Sequence, residues 1–301
     1  MGAGFSDLLD RNDGRTTLGD LPESCVASIF MYLDPPEICR LARLNRAFRG
    51  ASSADFVWEP KLPTNYNFLV DKVLGEKTTP EESRLSCRKE IYSRLCAPNC
   101  FADDANKMVW LEKSSGKVCV SVSYKAMRIT GIDDRRYWTH IPSDESRFKQ
   151  IAYLQQTWWL EVVGELDDFH FPVGTYTVFF KLQLGKPPAA SKRFGAGRRH
   201  VSNSDQVHGW GKKPVRFQLS TSNARQTASS SSSSERYLVE QGNWAHYRAG
   251  EFTVDDPNSP TKIKFSMMQI DCTHTKGGLC LDSVLVCPKE FGDGGVLMKQ
   301  L

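Results

Sequence analysis

No stretch of the 301-residue chain is apolar for long enough to cross a membrane as a helix, which takes about 18 residues. The N-terminus, MGAGFSDLLDRND, lacks the basic start and apolar run of a secretory signal, so export by that route is not expected. A strong charge of one sign is also missing. The formal net charge is +4, without the concentrated basic face of a nucleic-acid binder, so no nucleic-acid partner is expected. The densest basic stretch, Lys192 to His200 (KRFGAGRRH), reads as a solvated loop, with an anionic-contact or nuclear-import patch as the other reading.

Cysteine arithmetic excludes more. Nine cysteines are an odd number, and they are scattered from Cys25 to Cys287. With no export signal, this favours reduced thiols in the cytosol or nucleus, so a cytoplasmic or nuclear location is expected. Cys96-x3-Cys100 has no second ligand set beside it, so no metal is expected and the thiols read as buried small apolar residues. G-x-S-x-G, H-E-x-x-H and Walker-type loops are absent. Asp133-Asp134 and Asp167-Asp168 are neighbours that point apart in extended chain, so they read as turn acids. Asp271 to His274 offers ligands without a companion cluster. The expectation is a protein that is not an enzyme and needs no cofactor.

What is present begins at Leu18. Asp20-Leu21-Pro22-Glu23 carries a capping acid, an early proline and a Glu three residues on, which is a capping-box helix start. Cys25, Val26, Ile29, Phe30 and Leu33 follow at helical spacing. Asp34-Pro35-Pro36-Glu37 repeats the signal and opens a second helix, with Ile38, Leu41, Ala42 and Asn45 on one stripe. Phe48, Phe56, Val57, Trp58 and Leu62 mark a third element. About 45 residues is near the lower limit for an independent core. The wide stripes therefore point to burial against a partner, or against the rest of the chain.

Residues 65–106 are mixed, and Leu85, Ile91, Tyr92 and Leu95 predict a short helix; the segment reads as a helical linker. From Lys107 the period becomes two. Val118, Val120 and Val122 alternate with Cys119 and Ser121; Tyr176 to Leu184, Val215 to Leu219 and Ile263 to Met267 do the same. Alternation means one face buried and one wet, and no helical pattern lies between these runs. A mainly β body, an antiparallel sandwich, is expected. Gly185 to Pro214 reads as a long basic loop. The serine run Ser229 to Ser234 reads as a mobile hairpin tip or loop. Trp138, Trp210 and Glu251 lie near turns, where rings and acids can hold a sugar. Trp158-Trp159, as strand neighbours, should place one ring in the core and one outside.

Two resemblances follow from these residues. Leu21-Pro22, Ile29, Leu33, Pro36, Leu41 and Asp55-x2-Trp58 resemble the F-box, over about 45 residues. That resemblance implies docking on the Skp-type adaptor of a cullin-RING ubiquitin ligase, with Leu21, Pro22, Val26, Ile29, Leu33, Pro36 and Leu41 forming or shaping the contact. Leu44-Asn45-Arg46 replaces the family's cysteine–arginine pair. Further on, Arg128-Ile129-Thr130, Tyr137-Trp138, Trp158 to Val162, Gly174 to Lys181, Gly250-Glu251-Phe252, Met268 to Asp271 and Lys276 to Leu279 resemble the plant phloem-lectin family, related to the Nictaba-type tobacco lectin. That resemblance implies a jelly-roll-like lectin domain with an N-acetylglucosamine site of two tryptophans and two late acids. Trp138 matches one tryptophan; Gly131 stands at the other, and Lys262 and Gln269 at the acids.

The reading is thus a plant F-box protein with a phloem-lectin domain. A disordered N-terminus spans 1–17, an F-box 18–64, a helical linker 65–106, the sandwich 107–288 and a tail 289–301. It would be the substrate-recognition subunit of an SCF-type ligase that selects a protein or glycoprotein. The alternative is a lectin for N-acetylglucosamine-type glycans acting without a ligase, with Trp138, Trp210 and Glu251 as candidate contacts. Met1-Gly2-x-x-x-Ser6 fits an N-myristoylation pattern, and a membrane contact is expected only if Gly2 is lipidated.

Overall fold

The computed structural model describes residues 21–73, 87–102, 104–185, 207–223 and 230–292. The head is built from α1 (Glu23–Phe30), α2 (Pro35–Leu41), α3 (Arg46–Ala51) and α4 (Asp55–Trp58). Asp34 stands at the N-cap of α2 as its spacing predicts, yet its side chain makes no capping bond. Asn45 is not on the α2 stripe. It caps α3, accepting from the Phe48 amide at 2.7 Å, because a short amide side chain can satisfy an otherwise unpaired helical N–H. Val26, Ala27, Phe30, Ile38, Phe48, Val57 and Trp58 fill the inside of the head, with Phe30 and Phe48 edge to face at 5.8 Å.

The segment expected to be a linker is instead structural filling between head and body. It forms α5 (Tyr66–Val73), α6 (Arg88–Leu95) and β1 (Asn99–Phe101), and runs into β2 (Asp104–Leu111). Trp58 donates from Nε1 to Ser52 O at 2.8 Å and packs on Tyr92 of α6 at 5.3 Å. The Tyr92 hydroxyl donates to Lys113 O in the body at 3.0 Å. Lys89 reaches Ser52 Oγ at 2.8 Å, and Asp55 caps α6 through the Arg88 amide at 2.8 Å. Phe68 of α5 meets Phe101 and Phe169, at 6.0 and 5.8 Å, and Asn65 Nδ2 donates to His170 O. Gly116 adopts φ +67°, and a Cβ there would lie 2.2 Å from Lys61 O, so the body approaches the head too closely for a side chain.

The body is two antiparallel sheets facing each other, as the alternation predicts. Its remaining strands are β3 (Val118–Ser123), β4 (Arg128–Ile129), β5 (Trp138–Pro142), β6 (Gln150–Leu154), β7 (Leu160–Phe169), β8 (Gly174–Leu184), β9 (Val215–Asn223), β10 (Ser230–Arg236), β11 (Trp244–Val254), β12 (Thr261–Gln269) and β13 (Leu279–Pro288). Among the described residues, β13 is the spine of an eight-stranded sheet. One edge of β13 pairs β8, which pairs β11. Its other edge pairs β6 and then β3, which lead on to β5 and to β2–β1. The second sheet runs β10-β9-β12-β7-β4. Phe180 from the first sheet wedges between Phe217 and Phe265 of the second, at 5.6 and 5.9 Å.

The serine run corrects an expectation. Ser230 to Arg236 is a paired edge strand, not a loop. Serines suit it because Ser232 points inward against Gly250, where a larger side chain would collide; a Cβ on Gly250 would already be 2.1 Å from the Ser232 hydroxyl. Thiol burial also departs from expectation. Cys119, Cys280 and Cys287 are buried, but Cys25, Cys39, Cys87, Cys100 and Cys272 are exposed, all unpaired. Burial pushes the Cys280 and Cys287 thiols up to about 12, so they stay protonated. A short helix, α7 (Lys289–Gly292), follows the spine where a tail was expected.

Head and body share one continuous core, so they are expected to unfold together. Phe169→Ala, which empties the seam between Phe68, Phe101 and Phe171, should cost about 3–5 kcal/mol. Far- and near-ultraviolet dichroism should show one coincident transition in both proteins. Separate transitions for helical and β signal would refute a shared core.

Candidate functional site

Two surfaces are left over once the core is filled. The first is on the head. Of the residues expected to meet an adaptor, Pro22 and Ile29 are exposed, and Leu21, Leu33, Pro36 and Leu41 are half-buried. Val26 is corrected: it is fully buried beneath α1, so it shapes the surface from inside and touches nothing outside. The structure adds Met31, Tyr32, Leu44 and Phe56, with Tyr32 89% and Leu44 68% exposed. Periodicity missed Tyr32 and Leu44 because both sit in turns just past helix ends. Lys61 braces this region by donating to Leu33 O at 2.6 Å and Met31 O at 3.2 Å, and burial lowers its pKa.

The second surface is the body, and here the sugar-site expectation is corrected. The Trp138 ring is 1% exposed, and its Nε1 donates to Thr130 O at 2.9 Å. Trp210 is equally buried and donates to Gly277 O at 2.8 Å. Neither ring has a face open to a ligand. Each is core for the same reason: a buried indole stands well when its N–H finds a carbonyl. Glu251 is held by Arg248 at 2.7 Å and Lys289 at 3.3 Å. It also lies far from both rings. Through Thr177 it is in register with Cys287, whereas Trp138 pairs with Leu154 and so with Leu279. Eight residues of strand separate those ends, roughly 27 Å. Lys262 is tied to Asp167 at 3.0 Å and Glu165 at 3.6 Å, and Gln269 is buried. The stretch Lys192 to His200 and the residue Gly2 lie outside the described residues.

Trp158 and Trp159 also depart from expectation. The chain bends between Thr157 and Leu160, so both rings are about half exposed rather than one in and one out. No group of His, Cys, Asp and Glu among the described residues is arranged to hold a metal ion. No helix among them is long and apolar enough to cross a membrane.

The outer face of the large sheet holds a buried carboxylate with its partners. Asp282 of β13 accepts from Ser146 Oγ at 2.6 Å and pairs with Lys181 at 2.8 Å, and Lys181 also donates to Glu145 O at 3.0 Å. These bonds clamp the 143–149 loop over the sheet. Arg147 lies 4.2 Å over the Trp110 ring beside it. His246 lies in the same region; burial, and then the Lys181 ammonium, push it down to about 4. This group is a clamp, not a catalytic set: its acceptors are spent on the loop.

Residues 117–288 match the model of phloem protein 2, and residues 18–60 match the F-box-like model. The chain belongs to the phloem protein 2 family. It is 55% identical over 298 residues to the F-box protein PP2-A13 of Arabidopsis thaliana, covering 96% of this chain and 97% of that one. It is 57% identical over 304 residues to the F-box protein PP2-A12 of the same plant, covering 97% and 98%. The phloem protein 2 match begins at Lys117, inside the structural body, and the F-box-like match ends at Pro60, before α5. An F-box-like head on a lectin-like phloem protein 2 body is the arrangement of a substrate adaptor.

His246 gives a pH test of the clamp. Its folded pKa is below the unfolded value of 6.5. Between these values the unfolded chain binds a proton that the folded chain refuses. Stability should therefore fall as pH drops from 6.5 to about 4, by up to roughly 3 kcal/mol from this group. Denaturant titrations of His246→Gln should lose that part of the slope; an unchanged slope would show that His246 is not held neutral.

Proposed function

We propose that the chain is the substrate-recognition subunit of an SCF-type cullin-RING ubiquitin ligase. The head docks a Skp-type adaptor, the β body takes a protein target, and the ligase supplies the chemistry. The observation that carries this reading is the apolar surface of the head. Ile29, Met31, Tyr32, Leu44 and Phe56 remain exposed although the head packs its other side on α6 and the body. Exposed apolar surface of that kind on a small unit marks a protein interface. The F-box-like match falls on the same residues. The lectin-like body adds support of a negative kind: its expected sugar contacts are buried or paired, so it is poorly equipped to act as a free N-acetylglucosamine lectin. Cytoplasmic or nuclear residence fits this role.

The test is co-purification of the full chain with a recombinant plant Skp-type adaptor. Tyr32→Ala/Leu44→Ala should reduce binding at least about tenfold, a typical effect of removing interface anchors. Leu21→Ala/Pro22→Ala should do the same. Both should retain the dichroism of the folded body. Undiminished co-purification with both double variants would refute the docking surface.

A further inference from the structure

Packing accounts for only some of the serines in β10. Ser232 points inward against Gly250, and the Ser234 hydroxyl donates to Arg248 O at 3.4 Å. Ser231 and Ser233 alternate with them and stand exposed on the outer face of the small sheet. Their ladder partners continue across that face in two rows. Ser231 lies opposite Ser220 of β9, and Ser220 lies opposite Lys264 of β12. Ser233 lies opposite Gln218, and Gln218 lies opposite Ser266. All six residues line one shallow pocket of about 270 Å³.

The pocket carries hydrogen-bonding capacity that the fold does not use. Among the described residues, none of these six side chains makes a hydrogen bond, and Lys264 makes no ion pair. Ser266 is only 8% exposed. It sits between the core residues Phe265 and Met267, so its hydroxyl turns outward, into the pocket. A hydroxyl with so little access to water costs free energy unless something in the pocket bonds it. Lys264 differs in the same way from its neighbour Lys262, which is tied to Asp167 at 3.0 Å and Glu165 at 3.6 Å.

The lining narrows the ligand. An ammonium, a carboxamide and the serine hydroxyls all supply donors, and no carboxylate lines the pocket. The nearest acids in the ladders are engaged. Glu165, opposite Lys264, is held by Lys262, and Glu235, the next outward residue of β10, is held by Arg216 at 2.9 Å. A cation would meet the Lys264 charge with no acid in the pocket to offset it. A sugar would find no ring to stack on, since no aromatic residue lines the pocket. An apolar group would strip water from polar side chains and bond none of them. An oxyanion bonds several donors at once, and charge strengthens each bond. A phosphate monoester presents three acceptor oxygens in different directions. That suits donors spread over three strands better than a planar carboxylate does.

We propose that Lys264, Ser266, Gln218, Ser220, Ser231 and Ser233 form a binding site for a phosphate group carried as a monoester. Calorimetric titration of the full chain at low salt, with inorganic phosphate and with a peptide bearing one phosphoserine, should show saturable binding. The unphosphorylated peptide should show none. Tighter binding of the phosphopeptide assigns the group to a protein side chain, and tighter binding of inorganic phosphate assigns it to a small phosphate compound; either supports the site. Lys264→Gln and Ser266→Ala should each weaken binding at least about tenfold, the effect of losing a hydrogen bond to a charged group. Lys264→Gln should leave the melting temperature unchanged, because that side chain bonds nothing in the fold. Lys262→Gln should leave the affinity unchanged, because its ammonium is already paired. No saturable binding of either probe, unchanged affinity in Lys264→Gln or Ser266→Ala, or an equal loss in Lys262→Gln would each overturn the proposal. Adaptor co-purification belongs to the head, and its success or failure is read separately.

Discussion

The aromatic seam of Phe68, Phe101, Phe169 and Phe171 is the contact on which the rest of the molecule depends. Phe68 comes from the helical side, Phe101 from the first strand, and Phe169 and Phe171 from the end of β7. Each buried phenylalanine contributes roughly 1.5–3 kcal/mol over exposure, so the seam outweighs the loss of freedom of a few junction residues. A head of this size is marginal alone. It gains a core by sharing one. The same sharing fixes the direction in which the body faces relative to the head.

Why the head keeps any apolar surface then follows. Trp58 turns toward Tyr92 of α6, which occupies one side of the bundle. Tyr32, Leu44 and Phe56 lie on what remains. Polar groups obey the same economy elsewhere. Lys61 covers the end of α1, Asp282 and Lys181 clamp the 143–149 loop, and Lys276 braces the loop at Trp158. These buried charges are bonded to backbone or to neighbouring loops.

Much of the fold was legible. The period-two runs became strands with the expected faces inward, and the two proline-bearing start signals became helix starts, because both depend on local backbone geometry. What the sequence concealed depends on contacts far apart in the chain. Residues 65–106 read as a linker since their apolar positions are interrupted; they pack because the body supplies Phe169 and His170. The serine run read as a loop by composition, yet β9 and Gly250 provide a ladder and a gap that small side chains fill. Trp138 and Trp210 had the local look of binding residues, but whether an indole near a turn faces out depends on whether a carbonyl, here Thr130 O or Gly277 O, waits inside.

The fate of the tryptophans bears on the sugar site that the resemblance implies. A sugar site needs a ring face with unsatisfied acceptors around it, because each hydroxyl left unpaired on binding loses what water gave it. In this body the rings expected at the sugar site are core, and Glu251 at the far end of β13 is paired with Arg248 and Lys289. The rings that are exposed, Trp158 and Trp159, sit on a bend where no carbonyl among the described residues takes their indole N–H. Position near a turn therefore does not decide whether a tryptophan is core or surface; a carbonyl placed to take its N–H does.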